Sequence, residues 1–266
     1  MDNRAIGVFD SGLGGLTAVR RMHEIMPEES IIYFGDTGRV PYGTRGRDTI
    51  IKYTLQDINF LMQYDLKAIV VACNTASAAA LDTVRGECPV PVFGTVEPSC
   101  DKARSVTKNG RIGVIGTAAT VRSGVFERSL CGAEPALHVR TLACPLFVPL
   151  VENGRVQRGD IVIETVVREY LQPMRDAGVD TLILGCTHYP LLRDVIADFM
   201  GGGVTLVDSG AEAANAVRRA VAPAADGAGK TRYFVSDDPA GFSQLASLFL
   251  QEDVSGPAGL VDISAY

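Results

Sequence analysis

Residues Lys67–Ser77 read KAIVVACNTAS. An unbroken apolar run, Ala68–Ala72, ends in a cysteine, and the small polar residues Asn74 and Thr75 follow at once. Successive apolar positions fit neither the alternation of a half-exposed strand nor the spacing of an amphipathic helix. A short run of this kind, closed by a polar turn, reads as a strand buried on both faces, as in parallel sheets covered by helices. A helix is expected from about Thr75 to Arg85. The pattern returns at Asp180–Cys186, DTLILGC, followed by Thr187 and His188. Two cysteines in matching places suggest one site with two thiols.

The same alternation runs outward from both points. AIGVFD (Ala5–Asp10), SIIYFGD (Ser30–Asp36), VPVFGTV (Val90–Val96), RIGVIGT (Arg111–Thr117), ALHVRTLAC (Ala136–Cys144), GVTLVDS (Gly203–Ser209) and TRYFVS (Thr231–Ser236) read as strands. Helical spacing covers Leu16–Met26, Thr49–Gln63, Asp160–Ala177 and Leu191–Phe199. Strands alternating with helices imply an α/β fold built on mostly parallel sheets. A faint repeat divides the chain in two. IGVFDSG from Ile6 resembles IGVIGTA from Ile112, and AIVVACNT from Ala68 resembles LILGCTH from Leu182. This predicts two pseudo-symmetric α/β domains, each a sheet flanked by helices, with the site in the cleft between them. The expected borders are 1–97 plus 208–266 for the first domain and 98–207 for the second. Ligands of such sheets bind beyond the carboxyl ends of the strands, where these polar turns lie.

Composition narrows the classes. The chain has 266 residues, 47% hydrophobic and 21% charged, which is ordinary for a globular protein with a sizeable core. A net charge of −6 argues against a general nucleic-acid binder. No run approaches the ~18 apolar residues of a membrane span, and no leader is visible at the start. Six cysteines without close pairs, and no short-spaced metal-ligand set, predict free thiols in a reducing cytoplasm and no metal site. The segment Ala222–Lys230, APAADGAGK, reads as an exposed loop. Its GAGKT text lacks the first glycine and the strand–loop–helix setting of a phosphate loop.

A thiol at a strand end is often only a small buried hydrophobe. Here each of the two precedes hydroxyl, amide or imidazole groups and an expected helix start, which favours a thiolate. A thiolate on one face of a carbon and a thiol on the other can remove a proton and deliver one from the opposite side, which inverts the centre. The other histidines, His23 and His138, lack a thiol neighbour, and Cys88, Cys100, Cys131 and Cys144 lack the polar followers and read as structural. Asp10–Ser11 alone reads equally as a helix cap, Pro41–Gly43 as a turn, Glu152 as a surface acid, and Asp36 as structural.

Seven stretches together carry a resemblance: VFDSGLGGLTAV (Val8–Val19), YFGDTGRVPYG (Tyr33–Gly43), VVACNTASA (Val70–Ala78), IGTAATV (Ile115–Val121), PLVENG (Pro149–Gly154), LGCTHYPLL (Leu184–Leu192) and LVDSG (Leu206–Gly210). They resemble the glutamate racemases of the aspartate/glutamate racemase superfamily. The resemblance implies cofactor-independent interconversion of L- and D-glutamate, supplying D-glutamate for peptidoglycan and so for cell shape. It implies Cys73 and Cys186 as the acid/base pair, assisted by Asp10, His188 and Glu152. Asp10, Ser11, Pro41, Tyr42, Gly43, Asn74, Thr75, Thr117, Thr120 and Thr187 match substrate-holding positions. Hydroxyl and amide donors suit two carboxylates, and Asp10 suits the ammonium. The implied partners are the small-molecule substrate and a second copy in a homodimer, with no membrane or nucleic acid. Aspartate and hydantoin racemases are the alternatives within the superfamily; a decarboxylase needs only one thiol. A surface role in inhibiting DNA gyrase is a reading of another class that sequence does not decide. With little chain before Ala5, activation by a cell-wall precursor through an N-terminal extension is not expected.

Overall fold

The computed structural model describes residues 1–225, 229–254 and 256–266. The loop expected at 222–230 therefore lies partly outside the described residues. In chain order the elements are β1 (Ala5–Asp10), α1 (Leu16–Ile25), β2 (Ile31–Gly35), α2 (Arg47–Leu61), β3 (Leu66–Val71), α3 (Asn74–Glu87), β4 (Val92–Phe93) and α4 (Val96–Val106). Next come β5 (Arg111–Gly116), α5 (Ala118–Ser123), α6 (Val125–Ala133), β6 (His138–Ala143), α7 (Phe147–Glu152), α8 (Ile161–Asp176), β7 (Thr181–Gly185), α9 (Arg193–Met200) and β8 (Thr205–Asp208). The chain closes with α10 (Ser209–Ala220), β9 (Thr231–Val235), α11 (Pro239–Leu250) and β10 (Gly259–Leu260).

The strands form two sheets, β10-β9-β2-β1-β3-β4 and β6-β5-β7-β8, and every strand pair is parallel. The α/β expectation of parallel sheets flanked by helices holds. The repeat reappears as topology. β2-β1-β3-β4 and β6-β5-β7-β8 have the same internal order, so β1 corresponds to β5 and β3 to β7. In both sheets the order reverses between the first and third strands, and a crevice opens beside such a switch point. Asp10 ends β1 and Cys73 follows β3; Thr117 and Cys186 follow β5 and β7. The inner strands β1, β2, β3, β5 and β7 are buried along nearly their whole length, as continuous apolar runs require, whereas the edge strand β6 has no buried position.

Helix starts are set by local chemistry. The Asp208 carboxylate accepts from the backbone N–H groups of Gly210 and Ala211 at 2.9 and 3.1 Å and opens α10; Asp160 opens α8 by accepting from Val162 at 3.0 Å. α10 ties the halves together. Leaving β8 of the second sheet, it packs on α1, and Ser209 Oγ reaches both Asn74 Oδ1 (3.2 Å) and Leu184 O (2.9 Å).

Some boundaries differ from expectation. The strand expected over Val90–Val96 shrinks to Val92–Phe93, because Pro91 offers no N–H and Thr95 already turns toward α4, its N–H donating to Ser77 Oγ at 3.0 Å. Cys73 and Cys186 stand just past their strands, not on them. Cys73 is the N-cap of α3, but Cys186 precedes a 3-10 turn at Tyr189–Leu192, and α9 begins only at Arg193. The helix-start argument therefore holds for Cys73 and fails for Cys186. Helices α4–α7, α10 and α11 lie outside the helical stretches read from spacing. No helix among the described residues is long and apolar enough to cross a membrane.

Candidate active site

A cavity of about 360 Å³ lies where the carboxyl ends of the two sheets meet. Both thiols line it. Cys73 is 5% and Cys186 6% exposed. The first half contributes Ser11 from the turn after β1, Pro41–Gly43 from the segment after β2, and Asn74 and Thr75 from the start of α3. The second half contributes Thr117 at the start of α5, Glu152 at the end of α7, and Thr187 and His188 after β7. A larger cavity of about 570 Å³, bounded by Arg45, Arg122 and Arg128 among others, touches neither thiol. Volume does not identify the site here; the convergence of titratable groups does.

Two expected residues stand behind the wall. Asp10 is fully buried and does not line the cavity. Its Oδ2 accepts from Gly12 N–H at 3.0 Å, and its Oδ1 lies 3.4 Å from Thr187 Oγ1, which donates to it. In this geometry it supports the turn after β1 and Thr187, with no face open to an ammonium in the cavity. Thr120 is likewise buried. Its hydroxyl meets Thr117 Oγ1 at 3.0 Å and Thr75 Oγ1 at 3.4 Å, while Thr75 and Thr117 meet at 2.9 Å. Three hydroxyls, two on α5 and its cap and one on α3, thus join the halves.

The two thiols have unlike companions. The Cys73 thiol donates to Ser11 Oγ at 3.4 Å. Burial pushes it up to about 12, and the nearby Asp10 adds to the rise. Desolvation thus outweighs the helix start, which was expected to favour a thiolate. On the other side, Cys186 Sγ lies 3.9 Å from His188 Nδ1, and His188 Nε2 lies 3.0 Å from Glu152 Oε1. Burial opposes the imidazolium, but Cys186 and Glu152 outweigh it and push His188 up to about 10. The direction favours the imidazolium form, and Phe249 of α11 stands edge-on to the His188 ring at 5.2 Å. Asp10 is pushed up from the usual carboxylate range by burial.

Several groups escaped the sequence reading. Cys144 was expected to be structural, yet it lines the cavity, with Pro145, Val148, Pro149 and Val40 forming an apolar side. It follows β6 as the other two thiols follow β3 and β7, but Pro145 comes next. The Tyr189 hydroxyl lies 3.1 Å from both Gly116 O and Cys144 O and pins the ends of β5 and β6. Gly14 has a packing role. A Cβ there would sit 2.1 Å from Thr187 Oγ1, so only glycine lets this turn approach the second half. The Asn74 side-chain N–H group is buried without a partner among the described residues, a donor left open on the cavity wall.

Residues 6–217 match the Asp/Glu/Hydantoin racemase family. The chain belongs to that family. It is 47% identical to the glutamate racemase of Geobacter metallireducens over 93% of both chains, and 43% identical to that of Beutenbergia cavernae over 99% of this chain and 95% of the relative. Among solved structures it superposes on glutamate racemase isoform RacE1 from Bacillus anthracis with a TM-score of 0.93 at 37% identity, covering 98% of each chain. The Francisella tularensis glutamate racemase, solved in complex with D-glutamate, gives a TM-score of 0.91 at 36% identity over the full length of both chains. The racemase fold thus extends beyond the matched 6–217 to the β9–α11–β10 segment, which completes the first sheet.

Proposed function

We propose that the chain interconverts L- and D-glutamate, with Cys73 and Cys186 acting on opposite faces of the α-carbon. One observation carries the reading: two buried thiols line one cavity from corresponding strand ends of two sheets with the same strand order. One sulfur, as thiolate, takes the α-proton and becomes a thiol. The other, a thiol, gives its proton to the opposite face and becomes a thiolate. Protons balance, the centre inverts, and the enzyme is left ready for the reverse turnover. No step calls for a cofactor, since donor and acceptor both belong to the chain. The Cys73 thiol, kept protonated by burial, is suited to donation, and His188 Nδ1 stands 3.9 Å from Cys186 Sγ, placed to assist proton movement there.

Glutamate is the substrate named for the relatives and the ligand named for the Francisella structure. The wall suits it. Ser11, Asn74, Thr75, Thr117 and Thr187 offer uncharged donors to two carboxylates, and Val40, Val148 and Pro149 face the methylenes. Asp10 and Thr120 hold these donors from behind. The α-proton is weakly acidic, so a small, dry cavity with oriented donors on the carboxylate is what lowers the barrier. In this reading residues 1–97 with 208–266 form one domain and 98–207 the other, the chain acts as a homodimer in the cytoplasm, and D-glutamate supplies peptidoglycan synthesis.

The test is proton NMR of the purified protein with L-glutamate in D2O, without added cofactor, while optical rotation is followed. Loss of the α-proton signal with rotation decaying to zero is expected. Exchange with aspartate or a hydantoin in place of glutamate would keep the two-thiol chemistry and overturn the substrate. No exchange with any of the three would sink the proposal.

A further inference from the structure

The segment between β2 and α2 forms one lip of the cavity, and it is held from behind by a buried cluster that the chemistry above does not use. Val40–Thr44 line the cavity, and a Cβ on Gly43 would lie 2.8 Å from Thr117 Cβ, so the lip sits close against the second half. Behind it, Arg39 reaches three acceptors: Nε to Asp36 Oδ2 at 2.6 Å, Nη1 to Gln56 Oε1 at 2.6 Å, and Nη2 to Asp57 Oδ1 at 2.7 Å. Tyr42 Oη contacts Asp36 Oδ2 and lies 2.8 Å from Asp57 Oδ2. Ser236, beyond β9, donates from Oγ to Asp36 Oδ1 at 2.8 Å. Asp36 and Asp57 are both fully buried.

Proton counting exposes an imbalance. The Tyr42 hydroxyl has one proton and faces a carboxyl oxygen on each side, so it can donate to only one of them. Two buried carboxylates beside one guanidinium also leave an uncompensated negative charge. One extra proton resolves both problems. Asp36 accepts from Ser236 at Oδ1 and from Arg39 at Oδ2. Asp57, whose carboxyl meets only Arg39 and Tyr42, is the better acid. The chain then runs Asp57 Oδ2–H to Tyr42 Oη, and Tyr42 Oη–H to Asp36 Oδ2, with Arg39 neutralising Asp36.

We propose that Asp57 is a positioning residue: a neutral carboxyl on α2 that donates to Tyr42 and, with Asp36 and Arg39, latches the lip of the cavity in place. The charged and titratable groups facing Asp57 are Asp36, Arg39 and Tyr42, and burial together with the Asp36 charge holds its proton on well above the usual carboxylate range. Tyr53, one turn earlier on α2, lies under Arg39, whose Cζ stands 4.1 Å from the ring centroid. Because a lip displaced by about 1 Å misplaces whatever the cavity holds, the latch acts on binding more than on the proton-transfer step.

The role in binding rests on the glutamate reading; the proton on Asp57 does not. The experiment compares the full chain with Asp57→Asn and Asp57→Ala, by steady-state racemisation of glutamate and by infrared difference spectroscopy at neutral pH. An amide keeps a donor toward Tyr42 and an acceptor toward Arg39, so Asp57→Asn is expected to hold KM and kcat within about threefold of the parent. Asp57→Ala is expected to raise KM about tenfold while kcat changes less. The parent-minus-Asn spectrum should show a protonated-carboxyl carbonyl band. If Asp57→Asn is as damaging as Asp57→Ala, or if the spectrum shows an ionised carboxylate lost instead, the proposal is overturned. Should glutamate not be turned over at all, the infrared band alone decides, its presence upholding the neutral carboxyl and its absence refuting it.

Discussion

Replacing Glu152 by Gln isolates the charge that stands behind His188. The amide keeps an oxygen for His188 Nε2 and removes only the negative charge, now 3.0 Å from that nitrogen. At this separation the pair is worth about 5 kcal/mol with an effective dielectric of about 20 and about 1.4 kcal/mol in water. The Glu152 side chain is 40% exposed, so solvent screening places the figure near the lower end, about 1–2 kcal/mol. That lowers the His188 value by about one unit. The sign follows from linkage. His188 is raised in the folded state, from 6.5 to about 10, so its contribution is complete below pH 6.5 and disappears as pH rises through about 10. Urea unfolding should therefore show Glu152→Gln less stable by about 1–2 kcal/mol at pH 6, with the gap closing above pH 10. The alkaline limb of the pH–activity profile should move down by about one unit. A stability gap that is the same at pH 6 and pH 10.5, or no gap at pH 6, would refute the account of His188 as a buried cation held by Glu152.

Two further outcomes are expected. Cys73→Ala and Cys186→Ala should each lower racemisation by at least about a thousandfold, yet each should still eliminate from one enantiomer of a glutamate analogue with a leaving group; equal loss on both enantiomers would remove the one-thiol-per-face assignment. Glu29→Gln should cost about 3–5 kcal/mol in urea unfolding. It strands Lys67, whose ammonium is paired with Glu29 at 2.6 Å, both side chains at most 2% exposed, and which also donates to Asp2 O and Ala222 O. The pair Glu29→Leu with Lys67→Met should recover most of that loss, and failure to do so would shift the cause from the stranded charge to packing.

What the sequence revealed and what it hid divide along physical lines. Strands buried on both faces must be continuous apolar runs, so β1, β3, β5 and β7 were readable, and so was their repetition. The polar turn residues were readable because the ends of such strands are where a parallel sheet opens. Quantities set by the whole fold were not. A helix start favours a thiolate at Cys73, and only the assembled core shows that desolvation is larger. Asp10 has the right chemistry for an ammonium, but Gly12 and Thr187 enclose it from opposite halves. Gly14 looked like any turn glycine until Thr187, far along the chain, closed on it. Asp57 gave no signal, because its partners Asp36, Arg39 and Tyr42 lie on a segment that spacing alone does not fold back onto α2. Short α5–α7 were missed because one or two turns hold too few apolar residues to show a period.

The two halves match in strand order but not in charge, and this has a consequence for His188. Cys73 has a hydroxyl beside it at 3.4 Å, whereas Cys186 has a histidine backed by a carboxylate. Replacing His188 by Asn should therefore impair proton removal by Cys186 more than by Cys73. Steady-state racemisation cannot display this. The enantiomers are equal in free energy, so the two directions must share one kcat/KM, and any mutation lowers both alike. Elimination from an analogue with a leaving group escapes that constraint, because the proton is removed by one thiol and the leaving group departs before reprotonation. In His188→Asn, elimination should fall about 10²-fold or more for one enantiomer, the one that Cys186→Ala also disables, and far less for the other. Equal losses for both enantiomers would show that the imidazolium serves the architecture of the cleft and not the acid–base state of one sulfur.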